Sequence, residues 1–427
     1  MEKPAHPFAF RDFRAYFVAR LTSTLAQMAM VIVIGWQVYD LSRSQWGMTT
    51  KEAALQLGLI GVAQFLPLLI LTPVVGWVAD KVDRRWIARL SVALEACCAI
   101  MLGWLSWTNA IDLPALFAVA ALLGVARAFA SPALQALAPN LIPLASLPAA
   151  IAMSSLAWQS GSVFGPAIGG YLYAGHHALP YAVCAGLFAT ALVALMTIRP
   201  IRRSMITGDA RPWQQMLDGL RYVRRNRLVF GAISLDLFAV LLGGATAMLP
   251  VYARDILHVG AEGLGHLRAA PALGAVFVAL WFAWRPLRQD VGTKLLIGVA
   301  IFGAATIGFG VSRDMTLSLA MLVVLGAADM LSVYVRQSLI QIYTPDDMRG
   351  RVGAVSTLFV SGSNELGEAE SGFLAALIGP VAAVVAGGIG AILVAGLWAR
   401  WFPELRAART FAPPKTLEDI PLKETAT

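Results

Sequence analysis

Long apolar runs recur along the chain and are separated by short polar stretches. Each run reaches the roughly 20 residues that a helix needs to cross the hydrocarbon core of a bilayer. Apolar residues are continuous within a run instead of alternating, which favours helices over the strands of a membrane barrel. The pattern predicts an all-α membrane protein with twelve spans, numbered here in chain order. Their approximate bounds are 13–40, 53–79, 86–107, 113–139, 146–174, 178–198, 228–253, 262–284, 291–311, 315–342, 351–378 and 380–402.

The longest polar connection separates six spans from six. Apolar residues within it follow helical spacing, while arginines take the other faces, so an interfacial amphipathic helix is expected there. Those apolar residues are Trp213, Met216, Leu217, Leu220 and Val223. We therefore expect an N-terminal six-helix bundle at 1–198, a cytoplasmic linker at 199–227, a C-terminal six-helix bundle at 228–402 and a cytoplasmic tail at 403–427.

The two halves repeat each other at a constant offset. Gly124, Gln135 and Pro143 align with Gly326, Gln337 and Pro345, and Gly165 and Gly170 align with Gly367 and Gly372. Internal duplication of this kind is typical of secondary transporters. The same offset places the acidic stretch "SNELGEAESG" over the middle of span 5. Its glutamates are therefore predicted to lie inside span 11 and not in a loop.

Composition and charge agree with a membrane protein. Of the 427 residues, 58% are hydrophobic and 14% charged, with a mean hydropathy of +0.69, whereas soluble proteins carry about 25% charged residues. The net charge is +8, but most Lys and Arg fall in loops on one side of the predicted spans. This bias predicts that those loops and both termini are cytoplasmic, and it argues against nucleic acid as the partner. The N-terminal stretch before span 1 predicts no cleaved signal peptide.

Catalytic and metal-binding patterns are not found. The three cysteines lie in apolar runs and give neither a disulfide nor a metal pattern. Nucleotide-binding, zinc-protease and serine-hydrolase motifs are also missing from the sequence. We expect no enzymatic activity, no cofactor and no metal.

The loop after span 2 carries the first family motif. Its sequence "GWVADKVDRRWIAR" resembles the signature of the major facilitator superfamily, with Gly76, Asp80, Arg84 and Arg85 in matching places. Asp83 stands where the family has a glycine. The resemblance implies twelve helices in two pseudo-symmetric six-helix bundles, and a loop that latches the cytoplasmic side of the outward-facing form. A loop that is merely basic is the alternative.

Two further motifs favour an exporter. Span 4 carries "LLGVARAFASP", which resembles the arginine signature of drug/proton antiporters through Arg127 only. Span 5 carries "GSVFGPAIGG", similar to the antiporter-associated pattern. The matching residues of span 5 are Gly161, Gly165, Pro166, Gly169 and Gly170. Small residues four apart permit close helix contact, and proline allows bending, so packing alone could also explain them.

The C-terminal half resembles the enterobactin-exporter-like branch of the superfamily in "LDLFAVLLGGATAMLPVYARDIL", "GLGHLRAAPALGA" and "SNELGEAESG". Spans 1, 4, 7 and 10 line the central cavity in the superfamily. The resemblance therefore implies that Arg127, Asp236, Asp329 and Arg336 lie at the substrate cavity. We expect Trp36, Gln37, Trp158 and Asn364 to line it as well.

Ionisable residues within the spans are costly and are candidates for function. Glu365 and Glu368 are three residues apart and share a helix face, whereas Glu370 lies on another. Two like charges on one dry face repel, so binding a proton at one of them is favoured. We expect proton coupling by Glu365, Glu368, Asp329, Arg127 and Asp236, and structural charge pairing by Glu95, Arg268 and Glu370. Pairing of the glutamates with Arg268 or Arg336 is the alternative.

The sequence thus predicts a monomeric, multi-pass protein of the bacterial inner membrane, in contact with lipid. It would export a small amphipathic molecule, siderophore-like or drug-like, by proton antiport with alternating access. A proton-coupled nutrient importer and a non-transporting receptor or assembly factor remain alternatives. Acids exceed bases within the spans, which favours a cationic or neutral substrate, whereas the family resemblance favours a siderophore.

Overall fold

The computed structural model describes residues 6–143, 146–200, 212–285, 287, 289–345 and 348–410. The helices of the first half are α1 (Arg11–Ser44), α2 (Thr50–Lys81), α3 (Arg84–Trp107), α4 (Leu113–Leu137), α5 (Leu147–Gly175) and α6 (Leu179–Met196). The linker contains α7 (Pro212–Arg225). The second half has α8 (Arg227–Leu242), α9 (Leu249–Val251), α10 (Gly260–Trp284), α11 (Val291–Val311), α12 (Met315–Ile342), α13 (Arg349–Ile378), α14 (Pro380–Trp401) and α15 (Pro403–Ala407).

Eleven long helices match eleven of the predicted spans to within a few residues, and the interrupted segment Arg227–Ile256 covers the remaining one. Ten of those described are long and apolar enough to cross a membrane by length and composition. The other two, α5 and α13, have 29 and 30 residues, which at about 1.5 Å per residue also exceeds the hydrocarbon thickness. The acidic stretch lies within α13, so the prediction that it is helical and not a loop is confirmed.

Short polar side chains fix where several helices begin. Thr49 and Glu52 form a reciprocal capping box at the start of α2. Asp83, which replaces the expected glycine in the loop after α2, accepts a hydrogen bond from the Arg85 backbone N–H at 2.9 Å and caps α3. Asp112 and Asp314 cap α4 and α12 in the same way. These caps satisfy backbone donors that a helix leaves unpaired at its N-terminus.

The most extensive contacts between the two six-helix halves are made by two helix pairs, α2 with α13 and α5 with α10. Both pairs approach closely through glycines. A Cβ added at Gly58 would lie 3.0 Å from the Gly372 Cα, and one added at Gly170 would lie 2.6 Å from the Gly265 Cα. All four glycines lie near the end of the bundle remote from α7. We call this the far end, and the end that carries α7 the linker end.

Span 7 differs from its prediction, because the expected continuous helix at 228–253 is broken. α8 ends at Leu242, and a 3₁₀ turn, α9 and the π-helix Tyr252–Ile256 follow. Gly243 and Gly244 interrupt the helix, and Pro250 lacks the backbone N–H that a continuous helix would use. The break also permits close packing, since a Cβ at Gly244 would lie 2.7 Å from the Gly367 carbonyl oxygen of α13.

Candidate functional site: a central charged cavity

A cavity of about 560 Å³ lies between the two halves. Helices from both halves contribute polar groups to its wall, including α1, α4, α10, α12 and α13. Those used below are Gln27, Arg127, Arg268, Asp329, Asn364 and Glu368. A second cavity, of about 990 Å³, is lined by the linker and the second half only. It lies off any path between the halves, so the central cavity is the candidate substrate site.

Four of the residues expected to line the cavity do so: Arg127, Trp158, Asp329 and Asn364. Trp158 is 46% exposed, which leaves a large aromatic face available to an apolar part of a ligand. The lining therefore combines charge of both signs with apolar surface.

Trp36 and Gln37 lie elsewhere, packed within the first half. Trp36 makes an edge contact with Tyr173, with ring centroids 6.4 Å apart. Gln37 accepts a hydrogen bond from the Tyr181 hydroxyl and donates one to Ser106 Oγ at 3.4 Å. Both ends of the Gln37 amide are thus used to join α1 to α3 and α6, and the residue is buried.

Asp236 and Arg336 form a buried ion pair between α8 and α12. Their side chains are only 6% and 3% exposed. Asp236 also borders a void of about 10 Å³ that it shares with Asp329, so the pair lies behind the cavity wall. Removing one partner of such a pair leaves an uncompensated buried charge, which is strongly destabilising.

Two acidic residues of α13, Glu368 and Glu370, lie on different faces of the helix. Glu368 lines the cavity and interacts electrostatically with Arg268 on α10. Glu370 is half-buried on another face of α13. Glu365 lies in the same helix, but its side chain is outside the part that the structure describes. Both residues of the Glu368 and Arg268 pair line the cavity, so this electrostatic interaction acts between α10 and α13 of the second half at the cavity wall.

In the first half, side-chain amides form hydrogen bonds with the charged residues. Arg127 donates to Gln64 Oε1 at 3.4 Å, and Gln27 Nε2 donates to Glu95 Oε1 at 2.6 Å. Sequence reasoning did not select Gln27 or Gln64. The signal that could have found them is their position in otherwise apolar stretches, where an amide needs a buried partner.

The glycine pattern of α5 packs against α1. A Cβ added at Gly161 would lie 2.6 Å from Thr24 Cβ, and one at Gly165 would lie 2.6 Å from the Leu25 carbonyl oxygen. Gly169 meets Ala29 in the same way, Gly170 faces α10, and Pro166 lines the cavity. The pattern therefore holds α5 against its neighbours while α5 borders the cavity.

The loop between α2 and α3 is described in part. Arg85 forms an ion pair with Asp83 at 2.6 Å and donates to the Ile198 carbonyl at 3.4 Å. Arg84 is exposed. The surroundings of Gly76 and the side chain of Asp80 lie outside the described part. In this structure Arg85 joins the start of α3 to the end of α6.

At the far end, four charged residues connect the halves, and we call them the outer clasp: Asp40, Arg43, Arg254 and Asp255. Arg254 NH1 lies 2.5 Å from Asp40 Oδ1, and Arg43 Nε lies 2.9 Å from Asp255 Oδ2. Tyr39 also donates its hydroxyl proton to Asp255 at 2.5 Å. Each half thus supplies one acid and one base, and each of these pairs with a residue of opposite charge in the other half.

Comparison with known proteins agrees with this architecture. The model of the transmembrane secretion effector family matches residues 3–420. The enterobactin exporter EntS of Escherichia coli O127:H6 (strain E2348/69 / EPEC) is 29% identical over 415 residues, covering 95% of each chain. EntS of Shigella boydii serotype 18 is 28% identical over the same length, with the same coverage.

Solved structures share the fold. A bacterial homologue of the human lysosomal transporter Spinster, inward-facing and unoccupied, aligns with a TM-score of 0.71 at 17% identity, over 93% of this chain and 98% of that one. The inward-open xylose transporter XylE from E. coli aligns at 0.67 and 14% identity, over 95% and 98%. The predicted twelve-helix, two-bundle fold is confirmed.

Proposed function

Because the chain belongs to the transmembrane secretion effector family of the major facilitator superfamily, we propose that it exports a small amphipathic molecule by proton antiport. Members of this family are transporters, so the chain is a multi-pass inner-membrane transporter and not an enzyme. Its partners include a small-molecule substrate and membrane lipid. We propose further that it acts as a monomer, with the domain boundaries predicted above.

The observation that carries the proposal is the cavity lining. A volume of about 560 Å³ lies within the roughly 300–1,000 Å³ of small-molecule sites. Basic side chains at Arg127 and Arg268, acidic side chains at Asp329 and Glu368, and the exposed face of Trp158 favour a ligand with both polar and apolar parts. Similarity to enterobactin exporters supports a siderophore-like compound over a simple hydrophobic drug.

Proton coupling is proposed at Glu368, with Glu365 as a second acid on the same helix. Arg268 acts on Glu368 electrostatically, so a proton or a substrate that separates the two side chains changes the charge of the cavity wall. Asp329 and Arg127, which occupy aligned helices of opposite halves, form the second part of this switch. Asp236 contributes by holding Arg336 outside the cavity.

Alternating access is supported by where the halves touch. The glycine contacts and the outer clasp both lie at the far end, so we propose that the structure represents the form open toward the linker end. The basic loops predict that this end is cytoplasmic, as are both termini. Transport then requires the outer clasp to open, while the loop with Gly76, Asp80, Arg84 and Arg85 closes the linker end.

Transport in proteoliposomes tests the proposal. A pH gradient should drive movement of enterobactin, or of a cationic dye used as the drug-like probe, against its own gradient. Glu368→Gln removes the charge at constant size and should abolish the pH-driven component. Glu370→Gln, on another face of the same helix, is the matched control and should retain it. Equal pH-driven transport by Glu368→Gln and the wild type would contradict the assignment to Glu368.

A further inference from the structure

Glu95 is a completely buried carboxyl group in the first half of the bundle. It lies on α3 with 0% exposure. Gln27 on α1 donates to its Oε1 at 2.6 Å, while its Oε2 has no hydrogen-bond partner in the described part of the chain. A carboxylate accepts hydrogen bonds at both oxygens and is costly to bury without them. The open oxygen is therefore where a carboxylic acid would carry its proton.

Among the described residues, one cation acts on Glu95. α4 contributes Arg127, which acts on Glu95 electrostatically and lines the cavity. α1 contributes the neutral Gln27. α6 brings Cys184 against the Ala26 carbonyl, and α3 itself carries Cys98 near the carboxyl group. Among the described residues Glu95 forms no ion pair, although sequence reasoning expected it to be a structural charge partner.

Gln27 connects this buried group to the cavity. Its side chain belongs to the cavity wall and also holds Glu95 Oε1. Arg127, on the same wall, contacts Gln64 on α2. Movement of Gln27 on substrate binding would therefore change the hydrogen bonding of Glu95. Movement of Arg127 would change the positive potential that acts on Glu95.

We propose that Glu95 is a proton-binding site coupled to the cavity through Gln27 and Arg127. The inference rests on the proposed proton antiport and adds a site in the half of the bundle opposite to Glu368. When Arg127 turns toward the cavity, Glu95 retains the proton on Oε2. When Arg127 turns toward Glu95, the O–H bond breaks, the proton passes to cavity water, and the carboxylate pairs with the guanidinium. No oxidant or second reactant is involved.

Infrared difference spectroscopy on the purified full-length protein tests the site without a substrate. The carbonyl stretching band of protonated carboxylic acids is compared between about pH 5 and about pH 9, a range that brackets the pKa of groups poised near neutrality. Glu95→Gln should lack one titrating component that the wild type shows. Glu95→Asp should retain it, because the carboxyl group is preserved, and Glu368→Gln should retain it as the matched acid in the other half.

The outcomes separate this inference from the proposed antiport. An identical titrating band in the wild type and Glu95→Gln would overturn the inference, since Glu95 would then hold one protonation state throughout. Failure of the wild type to transport in response to a pH gradient would remove the antiport proposal, whereas the spectra would still decide whether Glu95 binds a proton. Thermal unfolding of Glu95→Gln near that of the wild type shows that the variant folds.

Discussion

Weakening the outer clasp should shift the protein toward the form that is open at the far end. We choose Asp255→Asn, because the carboxylate of Asp255 is the acceptor for three described side chains: Arg43 at 2.9 Å, Tyr39 at 2.5 Å and Thr50 at 3.4 Å. Asparagine keeps the size and can still accept a hydrogen bond, but it removes the charge that attracts Arg43.

The expected loss of stabilising free energy depends on how exposed the side chains of Arg43 and Asp255 are. Hydrogen bonds to charged groups contribute about 1.5 to 3 kcal/mol when buried, while exposed ion pairs contribute about 0 to 1 kcal/mol. The side chains of Arg43 and Asp255 are 30% and 18% exposed, so an intermediate loss of about 2 kcal/mol is expected. At about 1.4 kcal/mol per tenfold change, this shifts the conformational equilibrium by roughly 30-fold.

The assay is a distance measurement between spin labels at the far end. Labels are placed at Ala110→Cys and Thr316→Cys, which are exposed positions in opposite halves, in a background without the three native cysteines. Asp255→Asn should add a population with a longer distance. Glu262→Gln, an exposed acid at the same end, is the control and should leave the distribution unchanged. A distribution for Asp255→Asn that matches the wild type would refute the role of the clasp.

Three further predictions follow from the contacts. Arg336→Met leaves Asp236 as an uncompensated buried charge and should lower the free energy of unfolding by about 3 to 5 kcal/mol, measured by thermal or denaturant unfolding in detergent. Gly165→Ala places a Cβ against α1 and should cost about 1 to 3 kcal/mol in the same assay, whereas Gly186→Ala, which has open space around it, should cost little. Glu368→Gln should abolish pH-driven transport in proteoliposomes, and full retention would exclude it as the proton site.

Much of the architecture was accessible from the sequence. The spans were predictable because a helix that crosses lipid must satisfy its own backbone and carry a continuous apolar run. The acidic stretch of α13 was placed correctly by the internal repeat, since hydropathy alone does not favour three glutamates inside a span. The break after Leu242 was not predicted, because the run from 228 to 253 stays apolar through Gly243 and Gly244.

Side-chain pairing was harder to predict. The pairing of Asp236 with Arg336, 100 residues apart in the chain, depends on how α8 meets α12. Trp36 and Gln37 lie on a helix that borders the cavity, yet helix rotation directs them into the first half. Gln27 and Gln64 carry no charge, so a search for ionisable residues missed them.

The sequence by itself determined the membrane class, the number of helices, the duplication and the family, because these depend on local hydropathy and on motifs within single segments. Tertiary structure decided which charged residues interact: Arg268 with Glu368 electrostatically, and Asp236 with Arg336 and the outer-clasp residues as ion pairs. It also left Glu95 beside a neutral amide in place of the ion pair that its charge suggested. The physical reason is that an ion pair depends on distances of a few ångströms between helices, and those distances are set by the packing of the whole bundle.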